Sequence, residues 1–140
     1  MGCYNSCVID KNIDEVWSTV RNFHDMSWAK GVIENLEIVG AKKGDQVGAG
    51  RLLNGVFHET LLELDEDECM IVYSIDEGPD VLSGGAVKGY RGVLQLSPIT
   101  VGSGTFVEWS SSWRTDKQGV AEFCDPIYVA LLSAMKDHFK

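Results

Sequence analysis

Few residues in this 140-residue chain have the type and placing for acid–base work. Arg51 and Glu59 fall on two consecutive segments of strand-like sequence, and Tyr73 and Tyr90 fall on the next two. A carboxylate turned toward apolar surroundings must find a partner or take up a proton, and Arg51 is the nearest cation in the pattern. With the two tyrosines these groups make a small polar set. It can orient one end of an apolar ligand, or polarise a carbonyl while Glu59 moves a proton, with Glu59 and Tyr90 as candidate catalytic groups. The plain alternative is a buried structural ion pair beside hydrogen-bonded tyrosines. Alternation alone leaves open whether Phe57, Glu59 and Leu61 or His58, Thr60 and Leu62 face inward.

Other chemistries find little support. His24, His58 and His138 are far apart and lack metal-ligand spacing, so neither a metal nor another cofactor is expected. The acidic run Asp65 to Glu68 lacks the glycine and spacing of a calcium loop and reads as a solvated hairpin. No Gly-x-Ser-x-Gly elbow or phosphate loop occurs, and Gly102-Ser103-Gly104 lacks a strand-to-helix context. Cys3, Cys7, Cys69 and Cys124 form no CxxC pair and are expected as thiols, with Cys124 packing as a small hydrophobe.

The elements that must position the polar set can be read from periodicity. Cys3 to Ile9 reads as a strand. Ile13, Val16, Trp17, Val20 and Phe23 recur at helical spacing behind an Asn12 cap, with Glu15 placed for a capping box, and His24 to Lys30 reads as a second short helix or a turn. Six strands follow: Val32 to Val39, Gly48 to Asn54, Val56 to Leu64, Met70 to Ile75, Val87 to Leu96 and Thr105 to Arg114. Short Gly-, Asp- and Pro-rich connections join most of them and favour antiparallel neighbours. Val107, Trp109, Ser111 and Trp113 share one face, as do Tyr90, Gly92, Leu94 and Leu96. The last segment is helical, with Val120, Phe123, Cys124, Ile127, Leu131, Ala134, Met135 and His138 on one stripe. Pro126 either caps the main helix or kinks a longer one. The fold class is therefore α+β: a seven-stranded curved antiparallel sheet around a long C-terminal helix, with two short helices after the first strand. One helix cannot fill a strongly bent sheet, so an apolar hollow is expected, lined by Tyr73, Tyr90, Trp109, Phe123 and Ile127.

Ile13-Asp14-Glu15-Val16-Trp17-Ser18-Thr19-Val20 with Phe23 and Trp28 resembles the opening of the polyketide cyclase/dehydrase and lipid-transport family, within the START and birch-pollen-allergen superfamily. Further likenesses follow in the same order. They are Gly48-Ala49-Gly50-Arg51, His58-Glu59-Thr60-Leu61, Tyr73-Ser74-Ile75 with Glu77-Gly78-Pro79, Tyr90, and Thr105-Phe106-Val107-Glu108-Trp109. The resemblance implies the helix-grip fold with one internal ligand cavity, and it favours Glu59 on the inner face. The family's activities are various, from lipid carriers to aromatase/cyclases, so it implies a pocket rather than a reaction.

Composition bounds the rest. Forty-four per cent of residues are hydrophobic, which suits one domain spanning 1–140. The formal charge of −9, with no basic cluster, gives no footprint for nucleic acid or an anionic membrane. The longest uncharged run, Gly92 to Val107, holds three glycines and a proline and falls short of the roughly 18 apolar residues a spanning helix needs. No secretory signal is visible, so a cytoplasmic setting is expected. Met1 to Ser6 fits the loose myristoylation pattern but reads better as the first strand. A homodimer is left open by the sequence. Three functions remain. The leading one is a carrier or sensor that holds a small hydrophobic molecule, whether lipid, polyketide or aromatic. The second is a cyclase- or dehydratase-type enzyme using Glu59, Arg51 and Tyr90, and the third a scaffold whose cavity is filled by its own side chains.

Overall fold

The computed structural model describes all residues from Met1 to Lys140. Strand β1 (Gly2–Ile9) leads into helix α1 (Ile13–Val20). Strands β2 (Leu36–Val39), β3 (Gly50–Leu53), β4 (Phe57–Asp65) and β5 (Met70–Glu77) follow. A 3₁₀ segment (Asp80–Gly85), strands β6 (Lys88–Pro98) and β7 (Thr105–Arg114) and helix α2 (Val120–His138) complete the chain. The strands form one antiparallel sheet in the order β1-β7-β6-β5-β4-β3-β2. This is the curved seven-stranded sheet and C-terminal helix expected from the sequence. No helix is long and apolar enough to cross a membrane.

Local chemistry accounts for the boundaries. The Asn12 side chain accepts the Glu15 backbone N–H at 3.0 Å and starts α1 as the pattern indicates. The second short helix is absent, and turns occupy residues 21–33 instead. There the Asn22 and Asp25 carboxamide and carboxylate oxygens accept the N–H groups of His24 and Ser27, both at 2.9 Å, and these two-residue loops compete with helical bonding. Strand β2 starts at Leu36 rather than Val32 for a related reason. Asn54, in the left-handed conformation (φ 52°), accepts N–H groups from Glu34 and Asn35 and donates to the Val32 carbonyl, so this stretch is tied to the β3–β4 turn. Gly55 (φ 70°) completes that turn.

Helix α2 runs unbroken through Pro126, so the proline neither caps it nor ends it. Its buried stripe is Val120, Cys124, Tyr128, Leu131, Leu132 and Met135. That stripe is rotated from the sequence-based one: Phe123 and Ile127 are half-buried at its margin and His138 is exposed. The helix is bound to β1 through Asn5 Nδ2, which donates to Asp125 Oδ1 at 2.9 Å. Across from it the inner face of β7 is buried at Thr105, Val107, Trp109, Ser111 and Trp113, as alternation requires. At the far end, Trp17 Nε1 donates to Glu66 Oε1 at 2.8 Å and Arg21 pairs with the same carboxylate, pinning α1 to the β4–β5 hairpin.

Gly92 on β6 sits directly opposite Tyr73 on β5. An added Cβ at 92 would fall 2.2 Å from Tyr73 Cζ, so only glycine lets the phenol ring lie flat against the neighbouring strand. Gly92→Ala is therefore expected to lower stability by about 1–3 kcal/mol, the scale of overpacking. Thermal melts should show a much smaller loss when the same change is made in a Tyr73→Leu background, where the ring is gone.

Candidate functional site

Strand pairing sets Arg51 of β3 directly across from Glu59 of β4. Both side chains are buried, each residue about 7% exposed. Arg51 Nε donates to Glu59 Oε1 at 2.8 Å and Nη2 lies 2.7 Å from the same oxygen. The third nitrogen, Nη1, donates to the Phe23 carbonyl at 3.1 Å, and the Phe23 ring covers the guanidinium face at 3.8 Å. Both contacts from Arg51 to Glu59 thus fall on one carboxylate oxygen, and Glu59 Oε2 has no hydrogen-bond partner in the protein. Burial pushes the Glu59 carboxyl above its ordinary value, with the Arg51 charge pulling the other way.

Three phenols from three elements meet beside this pair. The Tyr128 hydroxyl of α2 lies 3.2 Å from that of Tyr73 and 2.5 Å from that of Tyr90. Trp109 Nε1 donates to the Tyr73 oxygen at 3.0 Å. Burial is the largest cause holding all three phenols well above the ordinary tyrosine value, so they stay protonated. Burial likewise raises the nearby Cys124 thiol to about 11, which leaves it unsuited to nucleophilic work at neutral pH. All four cysteines are free thiols.

These groups border a cavity of about 40 Å³ between the sheet and α2. Its wall is Ile33, Leu53, Phe57, Glu59, Tyr73, Ile75, Tyr90, Cys124, Ile127, Tyr128 and Leu131, with Glu59 the one charged member. The structure thus brings together Glu59, Tyr73, Tyr90 and Ile127 from the sequence-predicted set. Arg51 stands behind Glu59, outside the wall. Trp109 also lies outside it. With Trp28, 6.3 Å away, Trp109 borders a separate void of about 10 Å³ that Arg51 and Tyr73 also touch. Phe123 packs at the margin of the core and does not line the cavity. Tyr128, the hub of the phenol cluster, was missed. Its signal was the spacing 120, 124, 128, 131, 135, which places it on the stripe that α2 buries.

His24 is accounted for by the fold, its Nε2 lying 2.9 Å from the Gly50 carbonyl oxygen. His58 and His138 are exposed, and no three His, Cys, Asp or Glu side chains come together in a metal-binding group.

A family described as polyketide cyclase/dehydrase and lipid transport matches residues 4–140. Among solved structures, a protein from Nitrosospira multiformis is 44% identical, covers 100% of this chain and 97% of its own, and superposes with a TM-score of 0.97. Norcoclaurine synthase from Thalictrum flavum is 18% identical over 99% of this chain and 83% of its own, with a TM-score of 0.71. The ginseng major latex-like protein 151 from Panax ginseng is 13% identical over 99% and 97%, with a TM-score of 0.78. At these lower identities the likeness is one of fold. No curated protein sequence matches the chain.

The buried pair generates a pH-dependent expectation. A carboxyl whose folded value is raised favours the folded state most below its ordinary value of 4.5, and that contribution is lost as pH rises through the raised value. Arg51→Met removes the opposing charge and should steepen this loss, with melting temperature falling above about pH 4.5 more sharply than in the wild type. At neutral pH the single change should cost about 3–5 kcal/mol, the scale for breaking a buried pair. Arg51→Met/Glu59→Gln should recover part of the stability and flatten the pH profile. Melting curves from pH 4 to 8 check both.

Proposed function

The chain belongs to the polyketide cyclase/dehydrase and lipid transport family, and on that premise we propose that it holds a small hydrophobic molecule in the cavity beneath α2, as a carrier or sensor. One observation carries this reading: an apolar wall interrupted by a single buried carboxylate with an unused oxygen, beside three protonated phenols. Apolar walls with a few convergent polar groups are the usual make-up of small-molecule sites. Glu59, held from behind by Arg51, would form the polar end with Tyr73, Tyr90 and Tyr128, and Ile127 with Phe57 the apolar one. The same reading takes residues 1–140 as one domain working in the cytoplasm.

Size shapes the proposal. A volume of about 40 Å³ suits one or two waters, whereas drug-sized ligands occupy roughly 300 Å³ or more. Binding therefore requires the wall to move. Ile33, Phe57, Ile75 and Ile127 are only half-buried, and their side chains can rotate outward without breaking a hydrogen bond. The tyrosines are held by one another and by Trp109, so they form the fixed end.

A cyclase or dehydratase reading draws on the same groups, with a phenol polarising a carbonyl and Glu59 accepting a proton. Carriage is preferred because Glu59 is engaged by Arg51 and the raised phenols leave no second group poised to exchange protons near neutral pH.

Native mass spectrometry of protein purified from its source cells, with extraction of any bound molecule, should show one small apolar compound per chain. Ile127→Trp should then fill the mouth of the cavity, weaken binding of the extracted compound at least about tenfold, and shift the melting temperature little because position 127 is half exposed. A chain that is empty when purified, and that responds to no apolar ligand in fluorescence or melting, would instead favour the self-filled scaffold.

A further inference from the structure

If the cavity binds a hydrophobic molecule, its polar atoms also select the headgroup. Arg51 is the only buried cation near the site, and all three of its nitrogens are already engaged, two on Glu59 and one on the Phe23 carbonyl. Its guanidinium face is shielded by the Phe23 ring, and it does not reach the cavity wall. An anionic ligand would meet no free positive charge there. It would meet the Glu59 carboxylate instead, in surroundings where like charges are poorly screened.

What the wall does offer is one acceptor and one donor. The acceptor is Glu59 Oε2, which no protein group uses. The donor follows from counting protons. Tyr73, Tyr90 and Tyr128 carry three hydroxyl protons between them, but only two hydroxyl–hydroxyl contacts link the three. One phenolic proton is therefore unused within the row whichever way it is oriented. On Tyr90 it would be taken by the neighbouring Ser111 or Cys124 side chain, so the donor open to a ligand is that of Tyr73 or Tyr128, the Tyr73 oxygen already accepting from Trp109.

We infer that the cavity takes a neutral, largely apolar molecule bearing a hydroxyl group, which donates to the free Glu59 oxygen and accepts from the spare phenol, and that it discriminates against molecules ending in a carboxylate. A hydroxyl satisfies both groups because it is donor and acceptor at once. A carboxylate can accept but cannot donate, and it places a second negative charge beside the first. The formal net charge of −9 biases approach in the same direction. This selection rests on the cavity being the binding site.

The test is calorimetric titration of the whole chain at pH 7 with three probes sharing one apolar body: 4-propylphenol, 4-propyltoluene and 4-propylbenzoate. The phenol should bind tightest, the toluene about tenfold more weakly for want of the hydrogen bonds, and the benzoate about a hundredfold more weakly. A benzoate affinity within tenfold of the phenol, or above it, overturns the headgroup inference and leaves hydrophobic binding standing. Heat from none of the three overturns both. Glu59→Met provides a second readout, because it frees Arg51: preference should swing toward the benzoate. A folded Glu59→Met that still prefers the phenol by the original margin overturns the role given to Glu59, and if this variant does not fold the wild-type series decides alone.

Discussion

The Arg51–Glu59 pair is the constraint on which the sheet's inner surface turns. Two charges removed from water are tolerable only if each answers the other and the remaining donors are used. Here the cross-strand register of β3 and β4 supplies the first condition, and the Phe23 carbonyl, brought in by the turn after α1, supplies the second. The pair therefore joins three things at once: the β3–β4 ladder, the segment leaving α1, and the aromatic rings of Phe23 and Tyr73 that pack on the guanidinium. Breaking the β3–β4 register would separate the two charges, and losing the segment after α1 would leave an Arg51 donor without its carbonyl partner. The pair also fixes which carboxylate oxygen is spent and which is free, so the same interaction that closes the core defines the chemistry of its remaining gap.

The phenol cluster depends on a different economy. Tyr73, Tyr90 and Tyr128 come from β5, β6 and α2, and each hydroxyl is buried with a partner supplied by another element. A buried hydroxyl without a partner is costly, so this network sets the depth and rotation of α2 on the sheet as firmly as its apolar stripe does. Gly92 is the steric counterpart, since the ring of Tyr73 occupies the space a side chain there would fill. The stack of Trp113 on Tyr90, with centroids 5.4 Å apart and planes 11° from parallel, continues the aromatic layer toward the start of α2.

Much of this was legible in the sequence because it rests on period. Strand alternation placed Trp109, Ser111 and Trp113 on one face, and helical spacing with Asn12 and Glu15 located α1. Where the reading failed, side chains acted on distant backbone. Asn54 holds residues 32–35 out of β2 from twenty positions away, and nothing in the local run Val32 to Asn35 announces it. The second helix failed because Asn22 and Asp25 bond their own chain, a competition that composition hints at but does not decide. Tyr128 does not stand out in the sequence, because Phe123 and Ile127 make an equally apolar stripe on α2. The face that α2 buries is settled by hydrogen bonds to Tyr73 and Tyr90, which no single-helix pattern contains. Glu59's inward turn was likewise ambiguous from alternation, since apolar residues occupy both faces of β4.

The placing of β1 beside β7 has a consequence for how the molecule comes into being. Gly2 pairs with Ser112, and Ile9 with Thr105, so β1 has no neighbour to join until β7, 96 to 110 positions further along the chain, has been made. Contacts this distant in sequence make for slow folding, since most of the chain must be gathered before they form. During synthesis from the N-terminus, β2 to β6 can assemble as local hairpins while β1 waits as an unpaired edge. Helix α2, which binds β1 through Asn5 and Asp125, arrives later still. The cavity is consequently the last part of the molecule to be enclosed, and until α2 docks its floor lies open as a half-built sheet, with the Arg51–Glu59 pair already able to form.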